Sequence, residues 1–170
     1  MSALPIVIDV EASGFGRGGY PIEIGLAMPD DRTHCFLVRP APSWTHWDPA
    51  AEAVHHIRRD ILVSRGRPVT EVAESLNAIL DGRTVYSDAW GHDSSWVALL
   101  FEEADRPQRF RVEALRGLLS DSELADWHAR RGQVERSLGA LRHRASVDAL
   151  VIQRTFVACR ATANTAFPGA

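Results

Sequence analysis

The sequence has no lysine: all 19 of its basic residues are arginine. A genome-composition bias accounts for that as readily as a need for bidentate phosphate contacts, and without lysine there is no contrast to separate the two. No apolar run approaches the ~20 residues of a membrane span, which excludes a membrane-spanning helix from the reading. Two cysteines, Cys35 and Cys159, are too few for a disulfide framework and form no CxxC pair. The start, Met1 to Pro5, carries no basic segment followed by an apolar one, so no signal peptide is visible. These absences together predict a cytoplasmic protein. The net charge of −3 excludes a uniformly basic molecule, although a locally basic groove can sit on an acidic surface. The glycines at 14, 16, 18 and 19 do not have GxGxxG spacing, which argues against a dinucleotide-binding turn. His55, His56, His92 and His128 lack the paired spacing of a helical zinc site.

What is present is an ordinary globular composition, 45% hydrophobic and 24% charged over 170 residues. That length suits one domain that buries roughly 70% of its unfolded surface. We read residues 1–170 as that domain, with a tail from about Ala163 that frays. Strands are expected at Ile6 to Glu11, Tyr20 to Met28 and His34 to Val38, with Pro29-Asp30-Asp31 as a hairpin turn. A short helix is expected at Ala50 to Ile57. Val69, Val72, Ala73, Leu76 and either Ile79 or Leu80 have helical spacing between Pro68 and Asp81-Gly82. Thr84 to Ser87 reads as a short buried strand, Asp93 to Ala104 as a helix and Phe110 to Glu113 as a strand. Ser122 is placed to cap a helix over Glu123 to Ala129, and a last amphipathic helix runs from Ala145 to about Ala161. A β-hairpin pair followed by alternating helices and strands gives an α/β fold with a mixed sheet.

The organising stretch is Ile6-Val7-Ile8-Asp9-Val10-Glu11, followed by the turn Ala12-Ser13-Gly14-Phe15. Alternate side chains of a strand share a face, so Asp9 and Glu11 point one way and Ile8 and Val10 the other. Two acids on an apolar strand repel each other and resist burial. A divalent cation is the best candidate to hold them.

A further acid, Asp93, closes the run Asp88-Ala89-Trp90-Gly91-His92-Asp93, and Asp148 follows His143 in His143-Arg144-Ala145-Ser146-Val147-Asp148. On one continuous helix His143 and Asp148 would be roughly 140° apart. A helix starting at Ala145 instead turns Asp148 inward from its first turn and leaves His143 on the preceding loop, where it can fold back as a general base. An acid placed there for the helix dipole alone, beside an unrelated histidine, is the other reading.

Several motifs together resemble the DnaQ-like, DEDDh-type 3′–5′ exonuclease family, which includes proofreading subunits, RNase T and oligoribonuclease. Asp9-Val10-Glu11-Ala12-Ser13-Gly14 is similar to DxExTG, Pro21-Ile22-Glu23-Ile24-Gly25 to IxEIG, Val54-His55-His56-Ile57 to VHGI, and His143 to Ala149 to HxAxxDA. The resemblance runs from about Pro5 to Val157. It implies an RNase H-like fold with a mixed central sheet of about five strands flanked by helices. It implies that Asp9, Glu11, Asp93 and Asp148 hold two Mg²⁺ or Mn²⁺ ions and that His143 is the general base. Oxygen ligands suit such hard ions. A pair of them about 3.5–4 Å apart supports in-line hydrolysis.

The implied activity is release of nucleoside 5′-monophosphates from the 3′ end of single-stranded DNA or RNA, or of short oligonucleotides. Ser13, Gly14 and Phe15 would seat the terminal nucleotide; Phe15 is either a stacking partner or a loop anchor. The second motif departs from HNxxFD at Ala89 and His92. Asp93 keeps the motif's phase, with Asp88 as its rival, and Trp90 either touches nucleotide or packs locally. Arg58, Arg59, Arg65, Arg67, Arg130, Arg131, Arg142 and Arg144 are either phosphate contacts or solvated charges. The altered second motif leaves a second reading, a weak or inactive exonuclease-fold module that binds nucleic acid or a protein partner. A homodimer is the expected assembly by the same resemblance.

Overall fold

The computed structural model describes residues 4–139 and 143–165, with side chains described as far as Ala161. Five strands form one mixed sheet in the order β3-β2-β1-β4-β5. They are β1 (Ile6–Ala12), β2 (Pro21–Ala27), β3 (Thr33–Leu37), β4 (Thr84–Ser87) and β5 (Arg111–Ala114). β1 is central, antiparallel to β2 and parallel to β4, and β4 is parallel to β5.

Strand alternation sorts the two faces. Ile8 lies opposite Leu26 and Val10 opposite Ile24, and all four enter the larger core. Helices α3 (Val69–Leu80) and α4 (Trp90–Glu103) cover that side with Val72, Leu76, Leu80, Val97 and Leu100. The other face carries Val7 and Ala27, which pack against Ala149, Ile152 and Phe156 of α7 (Ala145–Thr165). Gln153 anchors this helix. Its buried side-chain amide donates to the carbonyls of Pro5, Ala27 and Met28 at 2.8, 3.3 and 3.1 Å.

The remaining helices are α1 (Pro49–His55), α2 (Arg59–Arg65), α5 (Asp121–Ala125) and α6 (Trp127–Leu138), with a 3-10 turn at Leu115–Leu118. Helix α2 is absent from the sequence reading because it has no apolar period. Leu62 is its only buried residue, and Ile61 and Val63 face solvent.

Other boundaries differ from expectation for local reasons. Helix α4 begins at Trp90 rather than Asp93, without a side-chain cap, so Asp93 lies inside its first turn. Ser120, not Ser122, caps α5: its hydroxyl accepts from the Glu123 N–H while the Glu123 carboxylate accepts from the Ser120 N–H, a capping box. Helix α7 continues past Ala161 to Thr165, and the rest of the tail expected to fray lies outside the described residues.

Candidate active site

The site is built on the α7 face of β1, where Asp9 pairs in register with Gly25 and Glu11 with Glu23. Gly25 leaves the space that brings α7 in. A Cβ there would lie 2.0 Å from the Ala145 carbonyl carbon. The first turn of α7 therefore rests on the backbone beside Asp9, and Asp148, 6% exposed, faces the strand acids.

Glu23 fixes the same junction. Buried completely, it accepts from the Ala145 N–H at 2.8 Å and from the Arg144 guanidinium at 2.6–3.1 Å. A strand carboxylate thus satisfies an N-terminal donor of α7, where helix-end charge favours an anion. Cys35 donates its thiol to Glu23 at 3.2 Å, and burial is the first cause of a thiol pKa raised to about 11.

His143 precedes this junction in the left-handed region, φ 63°, and its N–H donates to Asp148 Oδ2 at 2.9 Å. One ligand atom each from Glu11, His143 and Asp148 lie within 4.8 Å of one another. Asp93 comes from the other side, at the carboxyl end of β4. It is 2% exposed and accepts from the Ser87 hydroxyl at 2.5 Å. Its rival Asp88 pairs with Arg131 of α6 at 2.5 Å instead. Ligand clefts of open α/β sheets gather at this carboxyl edge of the strands.

Electrostatics show that the acids crowd one another. Burial, then repulsion from Asp93, Glu11, Asp148 and Asp88, holds the Asp9 carboxyl well above its ordinary pKa. Burial, then Asp148 and Glu23, lifts Glu11 to about 7, with Arg144 pulling the other way. Burial lifts Asp93 to about 7 against the Ser87 hydrogen bond, with Asp88 and Glu11 adding to the rise. Carboxylates held together at this cost, with only oxygen donors and one imidazole, fit a hard divalent cation.

A cleft of about 380 Å³ opens over Asp9, Glu11 and Asp93, while Asp148 and His143 do not line it. Asp9, Glu11 and Asp93 line its acidic part, and Ala51 and Val54 of α1 line one wall. The opposite wall is aromatic. Phe15, 70% exposed, lies 5.2 Å from His92 edge-on and 5.7 Å from Trp96, and His92 stacks on Trp96 at 5.6 Å. Trp96 was not legible as a site residue, because its spacing reads as ordinary amphipathic helix.

Gly14 also lines the cleft, pressed against His46 and Asp48, at φ 145°. Ser13 does not line it. Its buried hydroxyl accepts from the Tyr20 N–H at 3.1 Å and lies 3.3 Å from His46 Nδ1, so it holds the turn from within. Trp90 stays outside too, its indole N–H donating to the Val112 carbonyl at 2.8 Å. His55 of the VHHI stretch does line the cleft. Nδ1 accepts from the Ile57 N–H at 3.0 Å, and burial pushes its pKa down.

Of the arginines considered for phosphate contacts, Arg58 pairs with Asp60, and Arg59 donates to the Trp44 carbonyl. Arg67 donates to Ser75, and Arg144 is held by Glu23. Arg142 lies outside the described residues.

No family model matches this sequence, and no curated protein matches it. Solved structures do match the fold. Escherichia coli exonuclease I in complex with a dA16 oligonucleotide aligns with a TM-score of 0.65 over 89% of this chain at 10% identity. The zinc-bound E. coli exonuclease I–ssDNA complex aligns at 0.67 over 93% of the chain with 12% identity. This chain spans 40% and 41% of the length of those two chains. A chain from the yeast NOT1 MIF4G domain co-crystallised with CAF1 aligns at 0.62, covering 98% of this chain and 82% of that one at 15% identity. At these identities the likeness shows the fold, an RNase H-like mixed sheet flanked by helices.

Proposed function

We propose that this chain is a metal-dependent 3′–5′ exonuclease of the DEDDh type, acting on single-stranded or short nucleic acid. The observation that carries this reading is the convergence of acids from three distant segments, Asp9 and Glu11, Asp93, and Asp148, with His143 beside them. The exonuclease I fold and the aromatic-walled cleft support it.

Asp9, Glu11, Asp93 and Asp148 would hold two Mg²⁺ or Mn²⁺ ions. When bound, these supply Lewis-acid polarisation of the scissile phosphate and offset charge on the departing 3′-oxygen. His143 takes the proton from the attacking water at a ring nitrogen, a role suited to an imidazole that shares a group with Glu11 and Asp148. Glu23 and Arg144 hold the backbone on which His143 sits. Phe15 and Trp96 offer faces on which a base of any sequence can stack. The acids Asp9 and Glu11 exclude a phosphate from the cleft until cations screen them.

Calorimetric titration with Mn²⁺ tests the site directly. The wild type takes up ions and Asp9→Ala loses that uptake. A circular single strand should resist the wild type while its linear form is shortened; cutting of the circle would mark an endonuclease instead.

Ala89 supports a second reading. It lines the cleft where the family motif carries Asn, which removes a polar side chain from the wall. Under that reading the chain is a binding module, and oligonucleotide binds without metal and without turnover.

A further inference from the structure

A second cavity, of about 410 Å³, adjoins the acid-lined cleft. Asp88 lines this groove and the next residue, Ala89, lines the cleft, so the two sit on either side of the β4–α4 turn. Leu115 and Leu119 form an apolar floor, Trp127 a wall, and Arg116, His128 and Arg131 carry the polar groups. Asp88, the groove's one acid, is neutralised by Arg131 at 2.5 Å. Arg131 is held a second time by Glu135 at 3.1 Å. Arg116 differs. It is exposed, and among the described residues its guanidinium makes no hydrogen bond or ion pair. His128 is exposed as well. Trp127 is half-buried against the small core under α7, which fixes its ring while leaving part of it open.

An aromatic wall over apolar side chains, with a free guanidinium at the rim, suits a base and its phosphate. Stacking on an aromatic ring is indifferent to sequence. A guanidinium pairs with phosphate through a planar fork of donors. We infer that this groove is a second nucleotide subsite, which takes the single strand on the 5′ side of the nucleotide held in the cleft. The inference rests on the proposed exonuclease reading and adds to it a strand path of at least two nucleotides, with Arg116 and Trp127 as its anchors. Helix α6, which has no buried residue, then serves to carry the groove's wall rather than to fill the core.

The test is binding against length. In a His143→Ala background, which slows hydrolysis and leaves the four carboxylates in place, the affinities of a 5′-mononucleotide and of a trinucleotide are measured in the presence of Mn²⁺. The trinucleotide should bind about tenfold tighter or more. Arg116→Glu should cancel that gain while leaving mononucleotide affinity within about twofold. Arg116→Ala should lower the slope of log affinity against log salt by about 0.7, the share of one phosphate contact on a single strand. Trp127→Ala risks the packing of α6, so Trp127→Phe is its companion and should keep the gain.

The inference is overturned if Arg116→Glu keeps the full gain, or weakens mononucleotide and trinucleotide alike. A protein that binds the mononucleotide with no gain in length loses this subsite and keeps the proposed function. A protein that binds neither loses both.

Discussion

A Cβ on residue 25 would stand 2.0 Å from the Ala145 carbonyl carbon and 2.1 Å from the Ser146 nitrogen. Both obstacles are backbone, so neither can swing aside, and Gly25→Ala must push α7 off the sheet. We expect a loss of about 3 kcal/mol or more, read as a lower urea midpoint, with lost hydrolysis because Asp148 moves with the helix. The sequence displayed this glycine within an IxEIG pattern but gave no reason for it, since the obstacle lies in a distant helix. His56 is the converse case. It adopts φ 58° at the C-cap of α1, where the family motif has glycine. A left-handed residue with a Cβ costs roughly 1–2 kcal/mol. His56→Gly should therefore raise the thermal midpoint by about 3 °C, measured by calorimetry. Ser13 lies in the turn after β1, and Trp90 in the second motif, where it is read either as touching nucleotide or as packing locally. The structure engages each with its own backbone, at Tyr20 and Val112.

Among the elements, the junction of β2 with α7 matters most to the site. Glu23 accepts from both the Arg144 side chain and the Ala145 N–H, so one buried carboxylate holds the loop that carries His143. Glu23→Gln removes the charge on one side of that pair. Because Arg144 is 46% exposed, water recovers part of the loss. The expected cost is about 2 kcal/mol, seen in thermal unfolding. Turnover should fall more than substrate affinity, because His143 is displaced while the cleft walls stay in place. The strands and α3 were legible because their apolar periods are uninterrupted. Helix α2 was not, having one buried residue in seven. The early start of α4 was also hidden. Its first turn has no side-chain cap, and the feature that fixes it is Asp93 bonded to Ser87 on the preceding strand. Such a tertiary bond leaves no local signature.

For the whole molecule, the carboxylate cluster links stability to pH and to cations. Burial and neighbouring acids hold the Glu11 and Asp93 carboxyls at about 7, well above the ordinary carboxylate range. Between the ordinary carboxylate range and pH 7 the native state therefore binds more protons than the unfolded chain, and stability falls as pH rises through that window. In chelator, the thermal midpoint should be higher at pH 5 than at pH 8. Mn²⁺ should raise it at pH 8 and do little at pH 5, since only the ionised cluster binds the ion. A midpoint that rises from pH 5 to pH 8 without metal would contradict this. The four acids were legible as separate motifs; that Asp9, Glu11 and Asp93 line one cleft with Asp148 near enough to act on Asp9 follows only from the parallel pairing of β1 with β4 and the docking of α7 on β1. Whether they and His143 form one hydrolytic centre is read from a 5′-labelled oligonucleotide incubated with Mn²⁺. A ladder shortened from the 3′ end is expected, with nucleoside 5′-monophosphate released, abolished in Asp9→Ala and slowed about 10²-fold or more in His143→Ala. Equal behaviour of wild type and both variants on DNA and RNA alike would contradict it.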